Sequence, residues 1–369
     1  VRDTDTVVRI GGDEFLVLCA DVLSAAAAEK IARRITEALE VPIQIGAEQI
    51  RISASIGIAL ADQPGCDLDH LIHHADRAMY RAKTAEPGSM AVAAGDDVTA
   101  PLVSEAELHR AIQHQEFVLH YQPIVRLVDG ALIGVEALLR WQHPEHGLLA
   151  PGHFVPLLEE SGLIVPAGAW VLKQAAWQSR LWHRRNPQRV PLTVSLNVSP
   201  RQLNQADFTQ VARNAIRDSG ARPAHLCLEI TEGALLRDPD AAWTSLRQLK
   251  ALGVSLALDD FGTGFSSLSY IRRFDLDVLK IDRSFVTSVH HSEEDRAIVE
   301  HVIGLAHALG MTAVAEGIEE SAQATVLREL GCNAVQGYWY ARPVPAEEID
   351  EMLESDRSWP PEHTITLPV

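Results

Sequence analysis

Eight short apolar runs recur between residues 117 and 341, and they constrain the fold more than any other feature. They read "FVLHYQPIVRL", "LIGVEALLRW", "LTVSLNVS", "LCLEITE", "VSLALDDFG", "DVLKID", "TAVAEGIE" and "AVQGYWYA". From the second onward, stretches with helical spacing separate most of them, among them "AGAWVLKQAAWQSRLWHRR" and "DPDAAWTSLRQLKALG". Strand and helix alternating in this way over roughly 250 residues is the pattern of an α/β chain closed into a (β/α)8, TIM-like barrel. The first two runs depart from it. Only "VDG" joins them, too short for a helical crossover and typical of a hairpin. The first barrel strand is therefore expected to run antiparallel to its neighbours.

Active sites of such barrels gather at the C-terminal ends of the strands. Those ends carry Glu136, Asn197, Glu229, the adjacent pair Asp259 and Asp260, Lys280, Glu316 and Gln336. Hard oxygen donors converging from several strands suit Mg²⁺ or Mn²⁺, and no matching His or Cys cluster accompanies them. Two such ions about 3.5–4 Å apart clamp the attacking and leaving oxygens of an in-line phosphoryl displacement. One of the adjacent aspartates could then bridge both ions while the other holds the second. A lone lysine among these acids can orient a water. Acids that merely cap the following helices would account for one or two positions. They leave an Asn, a Lys and a Gln in the same ring unexplained.

A shorter patterned region precedes the barrel. "TVVRIGGDEFLVLCA" reads as strand, Gly-Gly turn and strand, and "SAAAAEKIARRITEALE" as an amphipathic helix capped by Ser24. Two strand-like runs and a helix, "LDHLIHHADRAMYRAKTA", follow. Residues 92–104, "VAAGDDVTAPLVS", are small or polar with a proline and read as a linker. The expected division is residues 1–91, a linker at 92–104, a barrel at 105–355 and a tail at 356–369.

A net charge of -18 argues against a DNA or RNA polymer as partner, which would need a basic face. It leaves room for a small phosphate ligand, because bound cations invert the local field. Four cysteines without metal-ligand spacing read as reduced thiols of a cytoplasmic protein. No apolar run reaches the roughly 20 residues of a membrane helix. The chain lacks an initiator Met and begins mid-pattern. It reads as a fragment whose parent carries any sensor or membrane anchor upstream.

The motifs "EALLRW", "NVS", "EITE", "DDFGTGFSSL", "LKID", "AEGIE" and "QGYWYA" together resemble the EAL family of cyclic di-GMP phosphodiesterases, over about residues 105–355. The resemblance implies hydrolysis of cyclic di-GMP to linear pGpG with two Mg²⁺ or Mn²⁺ ions, inhibited by Ca²⁺. It implies that Glu136, Asn197, Glu229 and Asp259 hold one ion, and that Asp259 bridges to a second supported by Asp260. Glu316 and Gln336 would act through metal or water, and Lys280 would position the attacking water. Gln122 and Arg140 match positions that hold the substrate's guanine and phosphate. Glu232 matches a glutamate that anchors the loop after Asp260, a loop that also assembles a homodimer.

"RIGGDEF", with "SIGIA" and "ADRAMYRAK", resembles the GGDEF family of diguanylate cyclases. Gly11, Gly12, Asp13, Glu14 and Phe15 form the motif turn, and Arg2 and Asp5 match the family's RxxD inhibitory site, which binds cyclic di-GMP. Substrate GTP is the other ligand the resemblance implies. Two departures speak against cyclase activity. The family's first strand and early helices are missing, and Pro87 stands where a phosphate-binding arginine is expected. The segment is expected to act as a truncated regulatory partner. A non-catalytic cyclic di-GMP receptor and a bifunctional enzyme in a longer parent are the rival readings. Trp170, Trp177 and Trp182 are expected to pack against the barrel, and His290 and His291 to lie in a solvated loop.

Overall fold

A computed structural model describes residues 103–189, 191–237, 239–262 and 273–355, and discontinuous stretches between residues 5 and 93. The chain divides into two compact units, Val1–Ser104 and Glu105–Val369. In the first, β1 (Thr6–Gly11) and β2 (Glu14–Leu18) form the expected antiparallel hairpin, with Gly11 opposite Glu14. The helix Ala25–Leu39 starts behind Ser24, whose Oγ accepts from the Ala27 amide at 3.2 Å. β3 (Ile43–Ile45) and β4 (Glu48–Ile50) pair antiparallel, and β5 (Ile56–Ile58) and β6 (Met90–Val92) pair parallel. The stretch read as a linker from Val92 therefore begins inside a strand. Val92 stands opposite Ile58, and the Ala93 amide donates to Ile58 O at 2.7 Å. Small apolar residues suit a strand as well as a linker, and the composition alone did not separate the two. Arg2, Gly12, Asp13, Pro87 and the tail from residue 356 lie outside the described residues.

In the second unit, eight strands among the described residues close a ring. They are β7 (Phe117–Arg126), β8 (Leu132–His143), β10 (Thr193–Asn197), β11 (Leu226–Thr231), β12 (Ser255–Phe261), β13 (Val278–Ile281), β14 (Thr312–Ala315) and β15 (Ala334–Gln336). β9 (Gly147–Leu149) extends β8 as a hairpin outside the ring. β8 and β10 through β15 run parallel, and β7 closes the ring antiparallel to both β8 and β15. The short turn between β7 and β8 dictates this reversal. Gly130 takes φ 66° there and donates its amide to Arg126 O at 2.9 Å.

The parallel strands are apolar because helices cover their outer face and the barrel interior covers the other. Leu226, Leu228, Ile230, Leu256 and Leu258 belong to one core shared with the surrounding helices. The long helix Ile164–Arg185 presents Val171, Leu172, Ala175, Ala176 and Trp182 to that core. Trp182 meets Tyr121 edge-on at 4.9 Å. Trp177 departs from expectation. It falls on the far side of this stripe, and its side chain is half exposed. His290 departs the other way. Gln323 Nε2 donates to Thr287 O at 3.0 Å and ties the helix Ser321–Glu329 to this segment, leaving the His290 ring mostly buried beside Glu320.

Candidate active site

The strand ends converge on one ammonium. Lys280 Nζ lies 2.5 Å from Glu316 Oε1, 2.6 Å from Glu229 Oε2, 3.3 Å from Asp259 Oδ1 and 3.5 Å from Glu136 Oε2. Each carboxylate comes from a different strand or strand end, so barrel closure alone brings residues up to 180 positions apart to one point. Lys280, Glu229, Glu136 and Asp259 are buried, whereas Asn197 is exposed at the rim. Asn197 Nδ2 donates to Glu136 Oε1 at 2.7 Å, and Gln336 Nε2 donates to Glu136 Oε2 at 2.6 Å.

Backbone shape explains how two adjacent aspartates serve one site. In a regular strand, neighbouring side chains point to opposite faces. The β12–β13 register shifts between Leu258 and Phe261, and Asp260 takes φ 55° within that irregularity. The Asp260 amide donates to Asp259 Oδ1 at 3.1 Å. Gly262 follows at φ 100°, with Phe285 packed where a β-carbon would stand. Gly337 is required for another reason. A β-carbon there would lie 2.2 Å from the backbone of Ile318, against which this segment hydrogen-bonds. That close approach lets the Ile318 amide donate to Gln336 O at 3.1 Å.

The charges do not balance. Four carboxyl groups surround one ammonium, so full ionisation would leave three negative charges in a desolvated space. Burial would lower the Lys280 pKa, but the four acids hold it well above the usual lysine value. Burial pushes Glu229 well above the carboxylate range, aided by Glu136, Asp259 and Glu316 against the pull of Lys280. Burial likewise pushes Glu316 up to about 7. Glu136 goes the other way. Lys280 and the amides of Gln336 and Asn197 outweigh its burial and hold it below the usual value. Asp260 is raised by burial and then by the charges of Asp259 and Asp282.

This donor set fits hard divalent cations. It is built of carboxylates and amides and carries more negative charge than its own lysine neutralises. Glu136, Asn197, Glu229, Asp259 and Asp260 are the residues that would hold them. Among the described residues, no three acidic, histidine or cysteine side chains already form a cage around one point. The carboxylates are turned onto Lys280 instead.

Of the remaining expected residues, Arg140 lies on β8 beyond Glu136, and its Nη1 donates to Leu139 O at 2.9 Å. Burial lowers its pKa against the charges of Tyr338 and Glu136. Gln122 stands opposite Glu136 in the β7–β8 register. Glu232 begins the helix Glu232–Arg237 after β11, and both its carboxylate oxygens are buried without a hydrogen-bond partner among the described residues. The loop it is expected to anchor, 263–272, lies outside the described residues. Tyr338 and Arg342 escaped sequence reasoning. The Arg342 guanidinium stacks 4.6 Å over the Tyr338 ring, next to Arg140 in the field of the site. Their place in the "QGYWYARP" run after Gln336 was the available signal.

A family model for the EAL domain matches residues 105–343, and one described as diguanylate cyclase, GGDEF domain, matches residues 1–88. The bifunctional diguanylate cyclase/cyclic di-GMP phosphodiesterase MucR of Pseudomonas aeruginosa is 43% identical over 95% of this chain and 51% of its own length. The cyclic di-GMP phosphodiesterase NbdA of the same organism is 37% identical over 97% of this chain and 46% of its own. The chain thus spans about half the length of these relatives. A solved structure of the MucR phosphodiesterase in complex with c-di-GMP is 45% identical, with a TM-score of 0.63, covering 66% of this chain and 98% of that one.

Proposed function

This chain belongs to the EAL family, with a partial GGDEF domain ahead of its barrel, and from that premise we propose that it hydrolyses cyclic di-GMP to linear pGpG. EAL phosphodiesterases are metal-dependent. For this chain the ions proposed are Mg²⁺ or Mn²⁺, two per site. The observation that carries the reading is the ring of Glu136, Glu229, Asp259 and Glu316 around Lys280, with Asn197 and Gln336 completing it. When bound, divalent cations neutralise the excess charge and acidify water.

The chain's own residues do the rest. Lys280 stays charged, so it cannot serve as a free-amine base. Its ammonium, a donor only, is proposed to orient the attacking water through the water's oxygen and to oppose the negative charge that builds on the attacked phosphate. Asn197 and Gln336 fix the Glu136 carboxylate by donating to one oxygen each. Arg140 is proposed to meet a substrate phosphate at the rim. The GGDEF segment is proposed as a regulatory partner, with GTP or cyclic di-GMP as its ligand, and the EAL domain as the homodimer contact. Incubating the purified chain with cyclic di-GMP and Mn²⁺, then separating the nucleotides by chromatography, tests the reading. Accumulation of pGpG is expected. Tight binding with intact substrate would instead make the chain a receptor.

A further inference from the structure

We propose that the outer side of β7 carries a binding site for an organic ammonium, walled by aromatic rings and bordered by Glu347. The site follows from the reversed strand. Between parallel strands of a barrel, a crossover helix covers the outer face. The short β7–β8 connection brings no helix. The helices Ile164–Arg185 and Ala346–Glu354 flank β7 instead, and a slot remains over the strand. The slot is a cavity of about 430 Å³, a size that takes a small organic molecule. Phe117, Leu119 and Tyr121, on one face of β7, line it. So do Trp170, Gln174, Trp177 and Gln178, which fall at i, i+4, i+7 and i+8 and share one face of the long helix. The Lys280 ring lies on the other side of the same strand, where Gln122 stands opposite Glu136.

Two observations say what the slot takes. The first is an unsatisfied amide. Gln178 is only 8% exposed, yet its side chain hydrogen-bonds to no described residue. Buried amides are nearly always paired, and the cavity that Gln178 lines has room for a partner. The second is charge. Among the described residues no lysine or arginine lines the cavity, and burial holds His120 below its usual value, so it adds no positive charge at neutral pH. The Glu347 carboxylate does line it. Its field reaches inside, since the Glu347 charge adds to burial in pushing the Tyr121 hydroxyl up. Aromatic faces attract cations, and amide and carboxylate oxygens accept from N–H groups. Nothing in the cavity offsets the charge of a phosphate or carboxylate. The half-exposed Trp177 supplies a ring face that the barrel core leaves uncovered. The occupant is therefore a protonated amine with a flat apolar body, the body against the rings and the ammonium turned to Glu347.

Phenethylamine is the probe, with 2-phenylethanol and 3-phenylpropionate as its neutral and anionic counterparts. Each is titrated into the full chain by calorimetry and by tryptophan fluorescence, in saturating Ca²⁺ to occupy the acids of the Lys280 ring. The amine is expected to bind about tenfold tighter than the alcohol, the scale of a charge-assisted hydrogen bond, and the acid not at all. Glu347→Gln should bring the amine down to the affinity of the alcohol and leave the alcohol within about threefold. Trp177→Ala should weaken the amine about fivefold and remove most of the fluorescence change. Both positions are exposed, so the variants are expected to fold, and thermal melts verify it. An amine that does not bind, equal affinity for amine and alcohol, or tighter binding of the acid would overturn the proposal. So would amine binding that neither substitution weakens. Displacement of the amine by cyclic di-GMP would also overturn it, by placing the amine inside the barrel. None of these readouts requires turnover, so a chain that hydrolyses nothing leaves the test intact.

Discussion

Lys280 donates to Glu229 Oε2 at 2.6 Å, and both side chains are closed off from solvent. Removing one partner of such a pair leaves an uncompensated buried charge, at a cost of about 3–5 kcal/mol. Lys280→Ala is therefore expected to melt well below the native chain in chelator, with added Mn²⁺ recovering part of the loss. Its kcat should fall by orders of magnitude while cyclic di-GMP affinity in Ca²⁺ changes little. Lys280→Arg should not restore the rate, because a planar fork cannot replace a compact ammonium among four carboxylates. Normal turnover with weak binding in the alanine variant would make Lys280 a substrate anchor.

Metal substitution gives a second expectation. Mg²⁺ and Mn²⁺ should each support hydrolysis, and EDTA should abolish it reversibly. Ca²⁺ should bind and inhibit, because its larger radius and looser coordination suit the oxygens of the site without holding the geometry of the reaction. Full activity in EDTA, or with Ca²⁺ as the sole divalent ion, is incompatible with the account.

The raised carboxyls make stability depend on pH. Glu316 binds its proton more tightly in the folded chain, with its pKa moved from 4.5 to about 7, and Glu229 moves in the same direction. Such a group contributes stability that is whole below the ordinary carboxylate value and is lost as pH rises through the folded value. In chelator, the melting temperature should fall between about pH 5 and pH 7.5, and saturating Mn²⁺ should flatten the profile. A melting temperature that climbs across this window in chelator would show that these carboxyls are not protonated as described.

Asp260 allows backbone and charge to be separated. At φ 55° it occupies a region that Asn tolerates and Ala resists by about 1 kcal/mol. Asp260→Asn should melt at or above the native temperature, since it removes one of several repelling acids. Asp260→Ala should melt lower. Both should lose metal-supported turnover. Thermal melts of equal height would mean that the backbone at this position carries no strain.

The barrel was legible because its signals are local. Apolar runs mark the strands, and the five-residue connection at 127–131 forces β7 to run backwards. The carboxylates were legible because strand ends are where a barrel collects chemistry. Contacts across the ring were not. Gln336 and Gln122 lie 214 positions apart, and no periodicity connects them. Sequence resemblance placed Gln122 among the substrate contacts; its bonds to Ala341 and Gln336 join segments far apart in the chain and carry no local signal. The side-by-side use of Asp259 and Asp260 depends on a left-handed residue that a strand pattern does not announce. His290 is buried by a helix that arrives from 30 residues further along the chain, which local hydrophilicity cannot reveal.

The central claim is that Glu136, fixed by Asn197 and Gln336 beside Lys280, belongs to the machinery that cleaves cyclic di-GMP. Single-turnover hydrolysis by the native chain and by Glu136→Ala, each with Mn²⁺ and each verified as folded by circular dichroism, tests it most directly. The account predicts pGpG from the native chain and a rate at least about a hundredfold lower from the variant, the scale of losing a group that acts in the transition state. Equal rates from the two proteins, or intact cyclic di-GMP from both, would contradict it.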